Sequence, residues 1–241
     1  MISTTIIIPA RYNSSRFPGK PLALLGNKTM LQTVYYNCLA VDLATKVIIA
    51  TDDERIKAHC IAEEMDFIMT RKDHPSGTDR IAEAVELLNI NTEYVINVQG
   101  DEPFIAAKEL NILSNLLQSK NADIGSLYQK RSENFQDSEH DVKVVTTKKG
   151  KALYFSRAHI PFSHSDQPVE RKVHIGVYGF KTSILKEISN LDPTPLEKSE
   201  RLEQLRWLES GYEIYMAETD YNGFGIDTPD ELEQAKKLLA L

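Results

Sequence analysis

Three cations in one short loop, Arg11, Arg16 and Lys20, are the first residues in the chain with chemical potential. They lie in Pro-Ala-Arg-Tyr-Asn-Ser-Ser-Arg-Phe-Pro-Gly-Lys-Pro, residues 9–21, directly after the apolar run Ile6–Ile8. Such a run, punctuated by Pro9, reads as a buried strand ending in a loop, and ligands of α/β sheets bind beyond strand carboxyl ends. Pro18 and Pro21 stiffen the loop, and Gly19 lets the backbone approach something closely. A stiff cationic loop suits a polyphosphate, whose oxygens Arg grips in pairs and Lys meets as a point charge. It is not a Walker A loop, which requires Gly where Ser14 stands and Ser or Thr where Pro21 stands. A solvated basic loop is the plainer alternative.

Carboxylates follow at two further strand ends. Asp101, in Gln99-Gly-Asp-Glu-Pro103, comes after the apolar strand Tyr94–Val98, and Asp227 lies in Gly-Ile-Asp-Thr-Pro. Opposite a polyphosphate loop, such a pair suggests a shared Mg²⁺, which takes one or two carboxylates and keeps waters and phosphate oxygens. Taken singly, each is also ordinary turn or helix-start chemistry. Ser76 and Gly77 open a helix whose N–H groups suit a phosphate or a base carbonyl, and Arg71 and Arg80 flank that turn. His174 and Tyr178 share strand parity, with Gly176 between them, giving either an open polar face for a hydroxylated ligand or a hydrogen-bonded core pair. Arg157, at another strand end, could clamp a carboxylate. Glu203 and Gln204 fall mid-helix, where a solvated face is the default. His59, His140 and His164 read as surface residues, and no Ser–His–Asp arrangement is spaced for nucleophilic catalysis.

Stepping through the elements, helices are expected over 30–43, from Asp52/Asp53 to about 65, from 76 to about 88, over 106–119, over 195–208 and from Pro229 onward. Strands are expected at 6–8, 46–51, 67–70, 94–98, 174–180 and 213–218. A hairpin is expected from 142–145 and 152–155, and Ser163–Arg171 is the one linker-like stretch. Strands alternating with helices to residue 120 imply a parallel sheet with right-handed crossovers. The expected fold is therefore α/β, a mostly parallel doubly wound, Rossmann-like sheet. It forms a single domain, 1–241, with a β-rich insert at about 125–180.

Composition narrows the partners. The chain has 241 residues, 41% of them hydrophobic and 26% charged, in the range of globular domains. A net charge of −7 argues against nucleic acid as the main partner, so a local basic loop points to a small anion. No apolar run approaches the roughly 20 residues that span a bilayer, and no signal-peptide layout opens the chain. Cys38 and Cys60 lack metal-ligand spacing and read as reduced thiols of a cytoplasmic protein.

The strings Ile-Pro-Ala-Arg…Ser-Arg-Phe-Pro-Gly-Lys-Pro-Leu, Asp-His-Pro-Ser-Gly-Thr-Asp-Arg, Val-Gln-Gly-Asp-Glu-Pro, Ala-Leu-Tyr-Phe-Ser-Arg-Ala, Leu-Glu-Gln-Leu-Arg and Gly-Ile-Asp-Thr-Pro occur in that order. Together they resemble the 3-deoxy-manno-octulosonate (Kdo) cytidylyltransferase family, the CMP-Kdo synthetases of lipopolysaccharide biosynthesis, from about residue 4 to 238. The resemblance implies a homodimeric, Mg²⁺-dependent cytoplasmic nucleotidyltransferase that converts CTP and Kdo to CMP-Kdo and pyrophosphate. It implies that Arg11, Arg16 and Lys20 hold the triphosphate, and that Arg71, Ser76, Gly77 and Arg80 frame the cytidine. By the same resemblance Asp101 and Asp227 hold Mg²⁺, Arg11 and Lys20 join them in catalysis, and Gln99, Arg157, His174, Tyr178, Glu203 and Gln204 contact the sugar acid. Two stretches depart from the family pattern: 162–173 is short, and 136–141 lacks the usual Asn-Pro-Asn. An 8-amino form of Kdo, another ketoacid sugar such as sialic acid, and a non-catalytic nucleotide-binding regulator stand as alternatives.

Overall fold

The computed structural model describes residues 3–14, 16–131, 141–164 and 169–240. His140 and most of the 136–141 departure lie outside the described residues, as does the middle of the 163–171 linker. The chain divides into two compact units, residues 1–111 with 222–241, and residues 112–221.

The first unit is a parallel sheet with crossover helices. β1 (Thr4–Ala10) is buried along its whole length. A two-residue hairpin, β2 (Leu24–Leu25) and β3 (Lys28–Thr29), leads into α1 (Met30–Leu39), followed by β4 (Ala44–Thr51), α2 (Glu54–Ala62), β5 (Phe67–Met69), α3 (Gly77–Leu87) and β6 (Tyr94–Asn97). β1 pairs in parallel with β4 on one side and β6 on the other, and β5 extends the sheet beyond β4. Near-continuous Ile and Val runs are what a parallel strand covered on both faces requires. Pro9 does not end β1, as the sequence suggests. The β6 pairing stops at Ile7↔Asn97, so the missing N–H of Pro9 faces no ladder partner. α1 stops at Leu39, four residues short of expectation. Both cysteines are buried free thiols, and burial pushes the Cys60 thiol up to about 11.

α4 (Ala107–Lys120) spans the division and leads into the second unit. That unit contains β7 (Ile124–Arg131), β8 (Lys143–Thr146), β9 (Ala152–Ser156), β10 (Arg171–Lys181), α5 (Thr182–Ser189), α6 (Pro195–Glu200), α7 (Gln204–Glu209) and β11 (Ile214–Glu218). The β8–β9 hairpin forms as expected. β10 lies antiparallel to β7, and β11 pairs with β7 in parallel. β7 is absent from the sequence reading, as is α5. The expected helix 195–208 is two helices, broken where Arg201 adopts φ 54°, ψ 48°. The chain then returns to the first unit through α8 (Pro229–Leu238), whose start is the expected capping box. Thr228 accepts the Glu231 N–H, and the Glu231 carboxylate accepts the Thr228 and Asp227 N–H groups.

Close packing in the second unit depends on glycine at 179, in the middle of β10. A Cβ there would sit 2.4 Å from Leu117 Cδ1, a clash with the α4 side chain laid across the strand. Gly179→Ala should cost about 1–3 kcal/mol in urea unfolding, the usual range for overpacking. In the Leu117→Ala background the same change should cost far less. Equal costs in both backgrounds would show that Leu117 is not what excludes the methyl.

Candidate active site

In the first unit, the loop after β1 is folded on itself. Gly19 donates to the Tyr12 carbonyl at 2.8 Å, with φ 75°, and a Cβ there would meet the Tyr12 ring at 3.0 Å. The close approach anticipated at Gly19 is to this ring, which the Arg55 guanidinium covers on its face, 3.3 Å from the centroid. The loop borders a cavity of about 310 Å³ lined by Pro9, Arg11, Arg16, Lys20, Gln99 and Asp101, among others.

Lys20 is the centre of the charge arrangement. Its ammonium donates to the Asp101 carboxylate and, at 2.8 Å, to Asp227, and Arg16 donates to the other oxygen of Asp227 at 2.6 Å. The backbone fixes this meeting. Ile226 N–H donates to the Asp101 carbonyl at 2.8 Å, tying the two carboxylate loops together, and Phe104 packs on Phe224 beside them. A Cβ at Gly225 would touch the Glu102 carboxylate at 3.0 Å, so the loops approach closely only with glycine there. Burial alone would lower the Lys20 pKa, but the two carboxylates outweigh it and raise it. Burial likewise would raise Asp227, and Lys20 and Arg16 bring it below the ordinary carboxylate value. Two acidic oxygens converging on one cation form a donor set that fits a divalent ion bound through two carboxylates.

The turn before α3 forms another wall. Ser76 caps the helix, and a Cβ on Gly77 would lie 3.3 Å from Pro9 and 3.4 Å from Gln99. Arg11 reaches this turn, its Nη2 donating to the carbonyls of His74 at 2.6 Å and Ser76 at 2.9 Å. Gln99 donates to Asn97 and faces the same cavity, within the unit that holds the cationic loop. Arg71 and Arg80 are not among the lining residues. Arg71 is exposed, whereas Arg80 is fully buried, donating to Thr70 Oγ1 at 2.5 Å and facing Asp52 at 3.2 Å, where burial lowers its pKa.

The remaining predicted residues lie in the second unit. His174 and Tyr178 share a face across a bulge in β10, with rings 5.2 Å apart. That face is an aromatic cluster in which His174 is half-buried. Phe155 lies edge-on to His174, Trp207 lies edge-on to Tyr178, and Tyr178 is buried. Ser126 Oγ donates to the Val177 carbonyl at 2.7 Å and lies 2.9 Å from His174 Nε2, so its single proton leaves it to accept from Nε2–H. Burial pushes His174 down to about 3 and, with Glu203 adding to it, raises Tyr178 well above its ordinary value. Glu203 and Gln204 are not mid-helix. They stand at the start of α7, freed by the turn at Arg201.

Two positioning groups around Arg157 have no counterpart in the sequence reading. The Glu200 carboxylate accepts from Ser156 Oγ at 2.6 Å and the Arg157 N–H at 3.0 Å, and its carbonyl accepts Arg157 Nε at 3.0 Å. Burial would raise the Glu200 pKa, but these donors outweigh it and lower it. From the other side, buried Lys143 donates to the Arg157 carbonyl at 2.6 Å. Their only sequence signal is a charged residue at an inward strand or helix position.

Comparison with known proteins matches residues 5–218 to the family model described as cytidylyltransferase. The chain is 46% identical over 251 residues to a 3-deoxy-manno-octulosonate cytidylyltransferase of Thermodesulfovibrio yellowstonii, covering 98% of each chain. It is 43% identical over 239 residues to the protein of the same name from Cytophaga hutchinsonii, covering 96% of this chain and 95% of the relative. Among solved structures, CMP:2-keto-3-deoxy-manno-octonic acid synthetase complexed with CTP is similar at a TM-score of 0.94 and 37% identity, over 99% of this chain and 98% of that one. A glucose-1-phosphate thymidylyltransferase from Bacillus anthracis, named putative in its description, shares the fold at a TM-score of 0.70 and 16% identity.

The depressed His174 has a pH signature. Folded, it takes up its proton only near 3, while an unfolded histidine does so near its ordinary 6.5. Between those values the unfolded chain binds more protons, so stability rises with pH across the window and falls on acidification. Ring ¹⁵N shifts should show His174 neutral from pH 8 to 5, and His174→Asn should flatten the stability slope over pH 5–6.5. A His174 midpoint near 6.5 would contradict the neutral assignment.

Proposed function

Because this chain belongs to the cytidylyltransferase family, we propose that it activates 3-deoxy-manno-octulosonate with CTP, releasing pyrophosphate and CMP-Kdo for lipopolysaccharide biosynthesis. The observation that carries the reading is the Lys20 ammonium shared by Asp101 and Asp227 at the mouth of a cationic cavity. Arg16 and Lys20 supply donors for triphosphate oxygens, and Arg11, fixed on two carbonyls, has its remaining N–H groups for the same ligand. Asp101 and Asp227 would hold Mg²⁺, which would neutralise phosphate charge and favour ionisation of the attacking hydroxyl. The Ser76–Gly77 turn, which borders that cavity through Gly77, is our cytidine side, and Gln99, which lines the same cavity, is a sugar-acid contact.

The family resemblance assigns the sugar acid further to Arg157, His174, Tyr178, Glu203 and Gln204. Arg157, held by Glu200 and Lys143, is the cation for its carboxylate. Neutral His174 and un-ionised Tyr178 offer donors and acceptors to hydroxyls, and Glu203 and Gln204 complete the set. The anomeric hydroxyl forms the new bond to the α-phosphorus while the bond to pyrophosphate breaks. Positioning and charge stabilisation account for the acceleration, without a covalent intermediate. The carboxylate of Glu203, in electrostatic reach of Tyr178, favours one second reading, the 8-amino sugar acid, whose ammonium it would pair with.

We place the reaction in the cytoplasm; among the described residues no helix is long and apolar enough to cross a membrane. We also read the chain as a homodimer. The β8–β9 hairpin exposes Leu153 at 61%, an apolar side chain suited to a second copy. Leu153→Asp should halve the mass measured by light scattering, and an unchanged dimer mass would remove the hairpin from the interface.

Pyrophosphate release with CTP and Mg²⁺, measured in parallel on Kdo, 8-amino-Kdo and sialic acid, tests the assignment. Turnover should be highest on Kdo, while CTP binding without release on any sugar acid would indicate a regulator. Asp101→Asn should lower turnover by about 10²–10³-fold with the circular dichroism spectrum unchanged. Near-normal turnover would remove Asp101 from the site.

A further inference from the structure

The turn of residues 71–76 leads directly into Gly77, which lines the cavity, and is held by a carboxylate that does not line it. Arg71, Lys72 and Asp73 are exposed, yet the His74 side chain between them and α3 is only 4% exposed. Its Nε2 lies 2.5 Å from Glu83 Oε2, two turns into α3. The same oxygen accepts the Arg71 N–H at 2.9 Å, and Oε1 faces Arg71 Nε at 3.4 Å. Glu83 therefore grips the turn at its first residue and at its buried ring. On the opposite side the carbonyls of His74 and Ser76 receive Arg11 Nη2. The chain of contacts runs from Glu83 to the His74 ring, through the His74 backbone to Arg11, and so into the cavity. Arg11 points where those two carbonyls direct it, and the carbonyls lie where Glu83 holds the turn.

We propose that Glu83 is a positioning residue for nucleotide binding, setting the 71–76 turn through His74 and the Arg71 backbone and thereby orienting Arg11. This rests on the reading that the cavity receives CTP. Glu83 touches no substrate in this account, so its removal acts on the capture of the nucleotide and leaves the sugar acid side untouched. Burial would raise the Glu83 pKa, and the bonds from His74 and Arg71 reverse that, as expected for a carboxylate fully engaged in holding its neighbours.

Steady-state kinetics of Glu83→Ala and Glu83→Gln, with Lys20→Ala as reference, tests the idea. Glu83→Ala should raise KM for CTP about tenfold, the loss expected when one or two Arg11 hydrogen bonds to the nucleotide are weakened, with kcat and KM for the sugar acid close to the parent and Tm only modestly lowered. Glu83→Gln keeps an oxygen acceptor for Arg71 N–H and His74 Nε2–H and should recover most of that loss. An unchanged KM for CTP in Glu83→Ala would overturn the proposal, as would a glutamine variant no better than alanine. A uniform loss of kcat, both KM values and Tm would show a merely structural role and overturn it too. Lys20→Ala separates the two layers. If it leaves KM for CTP and turnover intact, the cavity reading fails and takes the proposal with it, whereas an impaired Lys20→Ala beside a normal Glu83→Ala overturns the proposal alone. Should Glu83→Ala not fold, His74→Ala carries the same test, with the same rise in KM for CTP expected and an unchanged value overturning it.

Discussion

Two ionised carboxylates held side by side in a partly buried site need a positive charge between them, and this constraint organises the first unit. Lys20 meets it by donating to both Asp101 and Asp227, and Arg16 adds a second positive charge on the outer side. The surrounding hydrogen bonds and close packing hold the two acidic loops at this meeting. The Asp101 carbonyl accepts from Ile226, Glu231 accepts the Asp227 N–H, and Gly225 gives Glu102 room. None of these contacts is strong alone, since net hydrogen bonds contribute about 1 kcal/mol each. Their effect is to remove alternatives: with the backbone of both loops fixed, the acidic side chains have only one place to point. The acids thus stand preorganised around a positive charge, the condition under which charge stabilisation is most effective.

The second unit solves a different problem with the opposite chemistry. Its polar residues are embedded in aromatic surface, so protonation states are set by exclusion of water. His174 is kept neutral among Phe155 and Tyr178, and Tyr178 is kept un-ionised against Trp207. Arg157 is the charged exception, and it is braced by Glu200 and Lys143 from two directions.

Much of this was legible in the sequence where the signal is local. The Ile6–Ile8 run followed by the Arg11/Arg16/Lys20 loop, the capping box at Thr228–Glu231 and the β8–β9 hairpin all follow from neighbouring residues. The convergence of Asp101 and Asp227 was accessible by one further step, since ligand groups of α/β sheets gather at strand carboxyl ends. What escaped depends on long-range partners or on weak patterns. β7 carries Gly125, Ser126, Gln129 and Lys130 in eight residues, so neither alternation nor a β-branched run marks it. The break after α6 has no Gly or Pro at its turning point; a left-handed Arg201 does the work, an uncommon conformation for that residue. The grips of Glu83, Glu200 and Lys143 were invisible because each holds at least one backbone group, and a backbone group has the same chemistry at every position. The His174/Tyr178 parity was correct, but parity alone does not say whether a face meets solvent or a tryptophan.

The first unit is discontinuous: residues 222–241 rejoin it only after the whole of 112–221. Asp227 and Lys20 stand 207 positions apart in the chain. Closing so long a loop is entropically tolerable when the intervening chain is itself compact, and becomes costlier when that chain is expanded. The acid–lysine contact is thus among the highest-contact-order links in the molecule and belongs late in folding, after the local crossovers of β1 through β6. A chain whose middle unit has melted would lose one of its two convergent acids while keeping its cationic loop. Such a species would lack the Lys20–Asp227 contact, so that one ion pair reports on the integrity of the entire chain.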